Sequence, residues 1–247
     1  MKKVAIGLVC SAILLAVLFL PAGELISWAE FRLFPGFAKR AHFLRLRKSG
    51  QTIYLLGTVH GEHFRAGASY PYWELKSALD SLGPKLLLVE IRPLPLGLGL
   101  WGEGPPEMPY AVAIARNAGI AVKGMDFWRP HYQPAKDFDD REDHMASLIL
   151  DGAKGQPVAL VLTGFSHVTG LERRLRAAGF ARDDSFTSQE KLNVLSRPES
   201  DRIPKDYFEA VTQAAERSSQ RKSDYPAEWA EYRFGLLKTL AAKGGTP

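Results

Sequence analysis

Short apolar runs recur along the chain, with helix-like segments between them. Four runs have the length of buried strands and lie next to glycine or proline: residues 53–56, 85–89, 120–125 and 158–162. From Trp73 to Leu82, apolar residues repeat at roughly the 3.6-residue period of a helix, which Gly83 and Pro84 end. The pattern therefore predicts an α/β fold with a mixed, largely parallel sheet flanked by helices.

The remaining segments complete this prediction. Residues 41–47 and 51–56 are expected to form a hairpin through residues 48–50. Residues 93–109 are rich in proline and glycine and are expected to be an irregular lid or connecting loop. Helices are expected at 110–118, at 171–178 and, as an amphipathic pair, from 204 onward, while the acidic segment 137–143 is expected to be solvated.

Polar side chains follow each of the four predicted buried strands. They are His60, Glu90, Asp126 and His167, and both histidines stand in a glycine-x-x-histidine sequence. Parallel strands present their carboxyl ends at one edge of a sheet, where such folds bind ligands, so these four residues are expected to converge there. Imidazole and carboxylate groups are the usual ligands of zinc, manganese or iron, and also the usual general acids and bases.

Residues near this edge are further candidates. Glu62 and His63 lie two and three residues after His60 and are either proton-transfer and substrate-binding groups or parts of a solvated loop. Arg92 is expected to clamp a substrate carboxylate or oxyanion, or to pair with Glu90. His131 lies among aromatic residues and an arginine, which suits a flat anionic ligand such as haem or a loop anchored by its rings.

The first residues of the chain have a different composition from the rest. Two lysines precede an uncharged, mostly apolar stretch, so residues 1–23 are expected to be a signal peptide or a membrane anchor and 24–37 a linker. Residues 38–247 are then a single α/β domain with C-terminal helices. This arrangement predicts an extracytoplasmic protein, either periplasmic or anchored to the inner membrane through an uncleaved segment.

Charge and cysteine content narrow the function classes. The net charge of +5 over 247 residues is too small to indicate nucleic-acid binding. The single cysteine, Cys10, lies in the apolar N-terminal stretch. The predicted domain therefore has no internal disulfide, no cysteine-ligated zinc and no cysteine nucleophile.

The motif Gly57-Thr58-Val59-His60, the strand end at Glu90 and the motif Gly164-Phe165-Ser166-His167 together resemble the TraB/GumN family. That family includes the TIKI metalloproteases and is similar to the erythromycin esterase and ChaN-like proteins. The resemblance covers about residues 51–180. It implies an α/β fold with paired halves, in which His60, Glu90 and His167 are metal ligands or acid/base groups.

We therefore predict a metal-dependent hydrolase of peptide or ester bonds in the bacterial cell envelope. A manganese, cobalt or zinc ion held by His60, Glu90 and His167 would lower the pKa of a bound water from about 15.7 towards about 7. Glu62 and Asp126 would assist proton transfer. Two alternatives stay open: metal-independent hydrolysis, in which a histidine or Glu90 activates water, and ChaN-like binding of haem or a metal without turnover.

Overall fold

The computed structural model describes residues 42–60, 73–98, 104–105, 107–127 and 134–196, and its centre is a six-stranded sheet. The strands are β1 (Phe43–Lys48), β2 (Gln51–Thr58), β3 (Leu86–Val89), β4 (Ala121–Gly124), β5 (Val158–Gly164) and β6 (Ala181–Arg182). Their order is β4-β3-β5-β2-β1-β6. β5 is parallel to β2 and β3, and β3 is parallel to β4, whereas β1 is antiparallel to β2 and β6. The predicted mixed α/β fold is confirmed.

The predicted hairpin between β1 and β2 is also confirmed. Lys48 pairs with Gln51, so only Ser49 and Gly50 form the loop. Both loop residues have positive φ angles, 45° and 81°. A two-residue loop with left-handed backbone at both positions matches the twist of the paired strands.

Helices flank the sheet and correct two predictions. They are α1 (Trp73–Leu82), α2 (Pro93–Gly97), α3 (Glu107–Asn117), α4 (Pro134–Ala153), α5 (Phe165–Ala177) and α6 (Ser188–Leu195). The segment 93–109, predicted to be irregular, contains α2 and the start of α3. Proline is tolerated in the first turn of a helix, where its missing N–H has no helical acceptor, and Pro93 and Pro109 occupy such positions.

The acidic segment 137–143, predicted to be solvated, lies within α4, and its residues Asp139 and Asp143 are exposed as predicted. Phe138, Met145 and Ile149 recur at helical spacing, and Met145 and Ile149 are buried against the sheet. Glu142 lies on this same side and is buried. The acidic composition therefore hid an amphipathic helix.

Each face of the sheet has its own hydrophobic core. Alternate strand residues point to opposite faces, so Leu87 and Leu160 face α1, α3 and α6, while Leu88 and Val161 face α4 and α5. The sheet is thus covered on both sides, which explains why its central strands are continuous apolar runs rather than alternating ones.

The second glycine-x-x-histidine motif joins β5 directly to α5. Gly164 is the last residue of β5 and the N-cap of α5, so His167 lies in the first turn of this helix. The helix predicted at 171–178 therefore begins six residues earlier, at Phe165. The leader, the linker and the C-terminal helices predicted from 204 onward lie outside the described residues. Within the described ranges, no helix combines the length and the apolar character needed to cross a membrane.

Candidate functional site

The carboxyl ends of β2, β3, β4 and β5 point to the same edge of the sheet, because these four strands are mutually parallel. His60 follows β2 by two residues, Glu90 follows β3 directly, and Asp126 follows β4 by two residues. His167 lies in the turn of α5 that follows β5. The topology thus brings all four strand-end residues to one edge.

Glu90 lies at the centre of this group. Its Oε1 accepts a hydrogen bond from Arg141 Nη2 at 2.7 Å, and its Oε2 accepts from Thr163 Oγ1 at 2.9 Å and from Gly164 N at 2.7 Å. Burial by itself raises the pKa of a carboxyl group, but Arg141 and the two imidazoles favour the negative charge, and the pKa of Glu90 falls to about 2. Glu90 is therefore ionised at neutral pH.

His60 pairs with a buried carboxylate that belongs to α3. Its Nδ1 lies 2.6 Å from Oε1 of Glu107, and the side chain of Glu107 is fully buried. Thr58 Oγ1 lies 2.8 Å from the same carboxylate oxygen. Burial alone would lower the pKa of His60, but the charge and hydrogen bond of Glu107, together with the charge of Glu90, outweigh this effect and raise it above 6.5.

His167 has a similar partner on the opposite face of the sheet. Its Nδ1 lies 3.2 Å from Oε1 of Glu142 on α4, and Arg174 Nη1 donates to Oε2 of this glutamate at 2.6 Å. The ring of Phe138 stacks on the imidazole, with centroids 4.6 Å apart and 14° between the planes. The imidazole of His167 is thus held by Glu142 at its edge and by Phe138 on one face.

The two imidazoles point their outer nitrogens at the same atom. His60 Nε2 is 3.9 Å and His167 Nε2 is 3.7 Å from Glu90 Oε1. An ionised carboxylate only accepts hydrogen bonds, so Glu107 and Glu142 favour a proton on the Nδ1 atom that each of them contacts. Gly164 permits this approach, because a Cβ atom there would lie 2.7 Å from His60 Nε2.

Asp126 belongs to the site through Arg141. Its Oδ1 accepts from Arg141 Nε and from the backbone N–H of Phe127, both at 2.8 Å. Burial raises the pKa of Asp126 and the nearby charge of Glu90 adds to this, although Arg141 opposes it. Asp126 therefore positions the guanidinium that Glu90 also contacts.

Negative charge predominates among these side chains. Among the described residues, Glu90, Glu107, Asp126 and Glu142 are four carboxylates, and Arg141 and Arg174 are the two guanidiniums that contact them. With neutral imidazoles, this set of six side chains has a net charge of −2. Such a charge favours either protonated imidazole or a bound cation at this edge.

The donor types suit a divalent ion, although the described donor atoms are farther apart than two ligands of one tetrahedral ion. Two ligands of one tetrahedral ion are about 3.4 Å apart when each lies about 2.1 Å from it, whereas the two Nε2 atoms lie 3.9 and 3.7 Å from Glu90 Oε1. The positively charged guanidinium of Arg141 also contacts Glu90 Oε1. In the part of the chain that the structure describes, no group of three or more His, Cys, Asp or Glu is arranged to hold a metal ion.

The other predicted site residues lie outside the described residues or at the margin of this group. Glu62, His63 and His131 are not among the described residues, so their roles stay predictions. Arg92 is the N-cap residue of α2. The guanidinium that contacts Glu90 is that of Arg141.

Sequence reasoning did not find Glu107, Arg141, Glu142 or Thr163. Glu142 had a detectable signal, because it is an acidic residue on the apolar side of an amphipathic helix. Thr163 is a polar residue at the end of a buried strand, next to the glycine of the motif. Glu107 lies between prolines, and no local pattern distinguishes it.

Comparison with protein-family models, with curated proteins and with solved structures gives no match. The resemblance to the TraB/GumN family therefore stays a prediction. The geometry of the two histidine–carboxylate pairs around Glu90 is the observation from which a function is inferred.

Proposed function

We propose that the protein is a hydrolase in which His60, oriented by Glu107, activates water for attack on a carbonyl carbon. The observation that carries this proposal is the 2.6 Å distance between His60 Nδ1 and Glu107 Oε1, at a side chain that remains 23% exposed. General-base catalysis requires a histidine oriented through one nitrogen and accessible at the other. The substrate class, a peptide or an ester, is inferred from the TraB/GumN resemblance.

The proposed reaction uses His60 first as a base and then as an acid. His60 Nε2 takes a proton from water while the water oxygen attacks the carbonyl carbon. Glu107 stabilises the resulting imidazolium and keeps its ring oriented. The imidazolium then protonates the leaving amine or alkoxide as its bond to carbon breaks, which restores neutral His60 and releases a carboxylic acid.

Glu90 and Arg141 are proposed to support this reaction electrostatically. Both oxygens of Glu90 accept hydrogen bonds and its pKa is low, so it is a poor proton acceptor near neutral pH. Arg141 contributes positive charge beside the site, which favours the oxyanion that develops on the carbonyl oxygen. Asp126 holds Arg141 in place.

Hydrolysis assays with matched histidine variants test this function. The full-length protein is assayed against chromogenic esters and a peptide mixture analysed by mass spectrometry, beside His60→Gln and His144→Gln. His144 serves as the control because its side chain is 43% exposed and its ring contacts Phe127 and the backbone of its own helix rather than His60, Glu90 or Glu107. We expect hydrolysis by the parent and the control and its loss in His60→Gln. Equal rates in all three proteins would refute the role of His60.

The pH dependence of the reaction follows from the pKa of His60. A general base must be unprotonated, and the pKa of His60 is raised above 6.5. We expect kcat/KM, which reports ionisations of the free enzyme, to fall on the acid side with a midpoint above 6.5. A rate that stays constant from about pH 8 to about pH 5, across the ordinary histidine range, would contradict this assignment.

The metal-dependent mechanism is the second candidate, because two ring nitrogens and a carboxylate oxygen converge in a negatively charged site. Removal of metal separates the two mechanisms. If His60 acts as the base, activity persists after dialysis against a chelator and purification in metal-free buffer. Loss of activity that manganese, cobalt or zinc restores, with near-stoichiometric metal by elemental analysis, would favour the metal-dependent mechanism instead.

A further inference from the structure

Gly170 in α5 lies where the carboxylate of Glu142 packs. A Cβ atom at this position would overlap both oxygens and the carboxyl carbon of Glu142. Glycine in the middle of a helix is less favourable than alanine, so its presence in the second turn of α5 calls for a local reason. The absence of a side chain at Gly170 opens the space that the carboxylate occupies.

The carboxylate in this space has two separate contacts. Oε1 of Glu142 faces His167 Nδ1, while Oε2 accepts a hydrogen bond from Arg174 Nη1. Arg174 belongs to the same helix as Gly170, one turn further on, and also donates to the carbonyl oxygen of Gly170 at 3.2 Å. Arg174 thus holds one oxygen of Glu142, which leaves the other oxygen for the imidazole.

We propose that Gly170 and Arg174 place Glu142 as the positioning residue of His167, so that His167 Nδ1 is held by Glu142 and Nε2 is directed towards Glu90. Glu142 accepts the Nδ1 proton and thereby selects the ring tautomer. Phe138, one helical turn before Glu142, limits rotation of the ring by stacking on it. His167 is therefore locked in both orientation and tautomer.

The two histidines consequently have different tasks, an inference that rests on the proposed function. The side chain of His60 is 23% exposed, whereas that of His167 is 3% exposed. A side chain this deeply buried does not contact substrate, so His167 supports Glu90 from the interior of the site, while His60 transfers protons.

The tautomer of His167 is measurable without any substrate. In the full-length protein with ¹⁵N-labelled histidine, long-range ¹H–¹⁵N spectra show which ring nitrogen carries the proton. We expect the proton on Nδ1 in the parent and a shift of the population towards Nε2–H in both Gly170→Ala and Glu142→Gln. Gly97→Ala, where an added Cβ meets no atom within 4 Å, is the matched control and leaves the spectrum unchanged.

A double variant tests whether Gly170 acts through Glu142. In a Glu142→Ala background, the added methyl group of Gly170→Ala meets no carboxylate and leaves the His167 signals unchanged. If Gly170→Ala shifts them as strongly there as in the parent, or if Glu142→Gln keeps the Nδ1 proton, the proposal is overturned. Should Gly170→Ala fail to fold, Glu142→Gln still decides whether Glu142 positions His167.

Kinetic measurements then connect the tautomer with the reaction. In Glu142→Gln we expect kcat to fall by about 10- to 100-fold, as for other groups that orient a functional histidine, with little change in the acid limb set by His60. An unchanged kcat would overturn the proposed task of His167. A parent without hydrolase activity would refute the proposed function, while the spectra would still decide whether Glu142 positions His167.

Discussion

Replacing Glu107 with glutamine is expected to lower kcat by about 10²- to 10⁴-fold while changing KM only slightly. The carboxylate both orients His60 and stabilises its protonated form, and an amide keeps the volume but loses the charge. A glutamine NH₂ group facing Nδ1 would also favour the tautomer that carries the proton on Nε2, where it blocks proton abstraction. Steady-state kinetics with the best substrate measure this effect.

The pH profile of Glu107→Gln separates an electrostatic effect from misfolding. The charge and hydrogen bond of Glu107 raise the pKa of His60, so their loss moves the acid limb of kcat/KM to lower pH. Glu172→Gln on α5 is the matched control, because Glu172 pairs with Arg176 and Arg182 away from the site. If the activity of Glu107→Gln is within about threefold of the parent, the His60–Glu107 pair is not required for catalysis.

Replacing Glu90 with glutamine is expected to destabilise the protein by about 3–5 kcal/mol at neutral pH. The carboxylate accepts hydrogen bonds from Arg141, Thr163 and Gly164, and an amide satisfies only part of this set. Its loss also removes one of the carboxylates that contact the guanidinium of Arg141, and Asp126 remains as a described partner. Urea unfolding followed by circular dichroism measures the change without the ionic screening that a charged denaturant adds.

Acid should remove this difference between the parent and Glu90→Gln. The pKa of Glu90 is lowered from 4.5 to about 2 in the folded protein. Its stabilising contribution of about 3 kcal/mol is therefore complete above pH 4.5 and is lost as the pH falls towards 2. Asp184→Asn, at an exposed ion pair with Arg182, is the control and should change stability little. A constant difference between the proteins down to pH 2 would show that Glu90 acts through packing rather than charge.

Local sequence patterns predicted the main strands and helices wherever the residues within an element determine its secondary structure. The apolar runs ending at Val89 and Gly164 are strands, because a strand buried on both faces is apolar throughout. The repeat from Trp73 to Leu82 is a helix, because a helix buried on one side repeats its apolar residues at a period of about 3.6. The secondary structure of the segment rich in proline and glycine, 93–109, was less predictable. Pro93 and Pro109 lie in the first turns of helices, where proline is tolerated.

The strand-end histidines and Glu90 were visible in the sequence for the same reason. A polar residue after a buried strand marks the edge of the sheet, and glycine-x-x-histidine occurs twice. The partners of these residues were not visible in this way. Glu107 and Glu142 come from helices on opposite faces of the sheet, 47 and 25 residues distant from the histidines they contact.

By itself, the sequence determined the class of fold and the chemistry available at one edge of its sheet. The tertiary structure decided which carboxylate orients which imidazole, that Arg141 rather than Arg92 contacts Glu90, and that His167 is sealed while His60 remains open. Strands and helices arise from short-range periodicity, which the sequence records. Pairing between side chains on different elements depends on how those elements pack, and single residues such as Gly164 and Gly170 permit that packing through the side chain they lack.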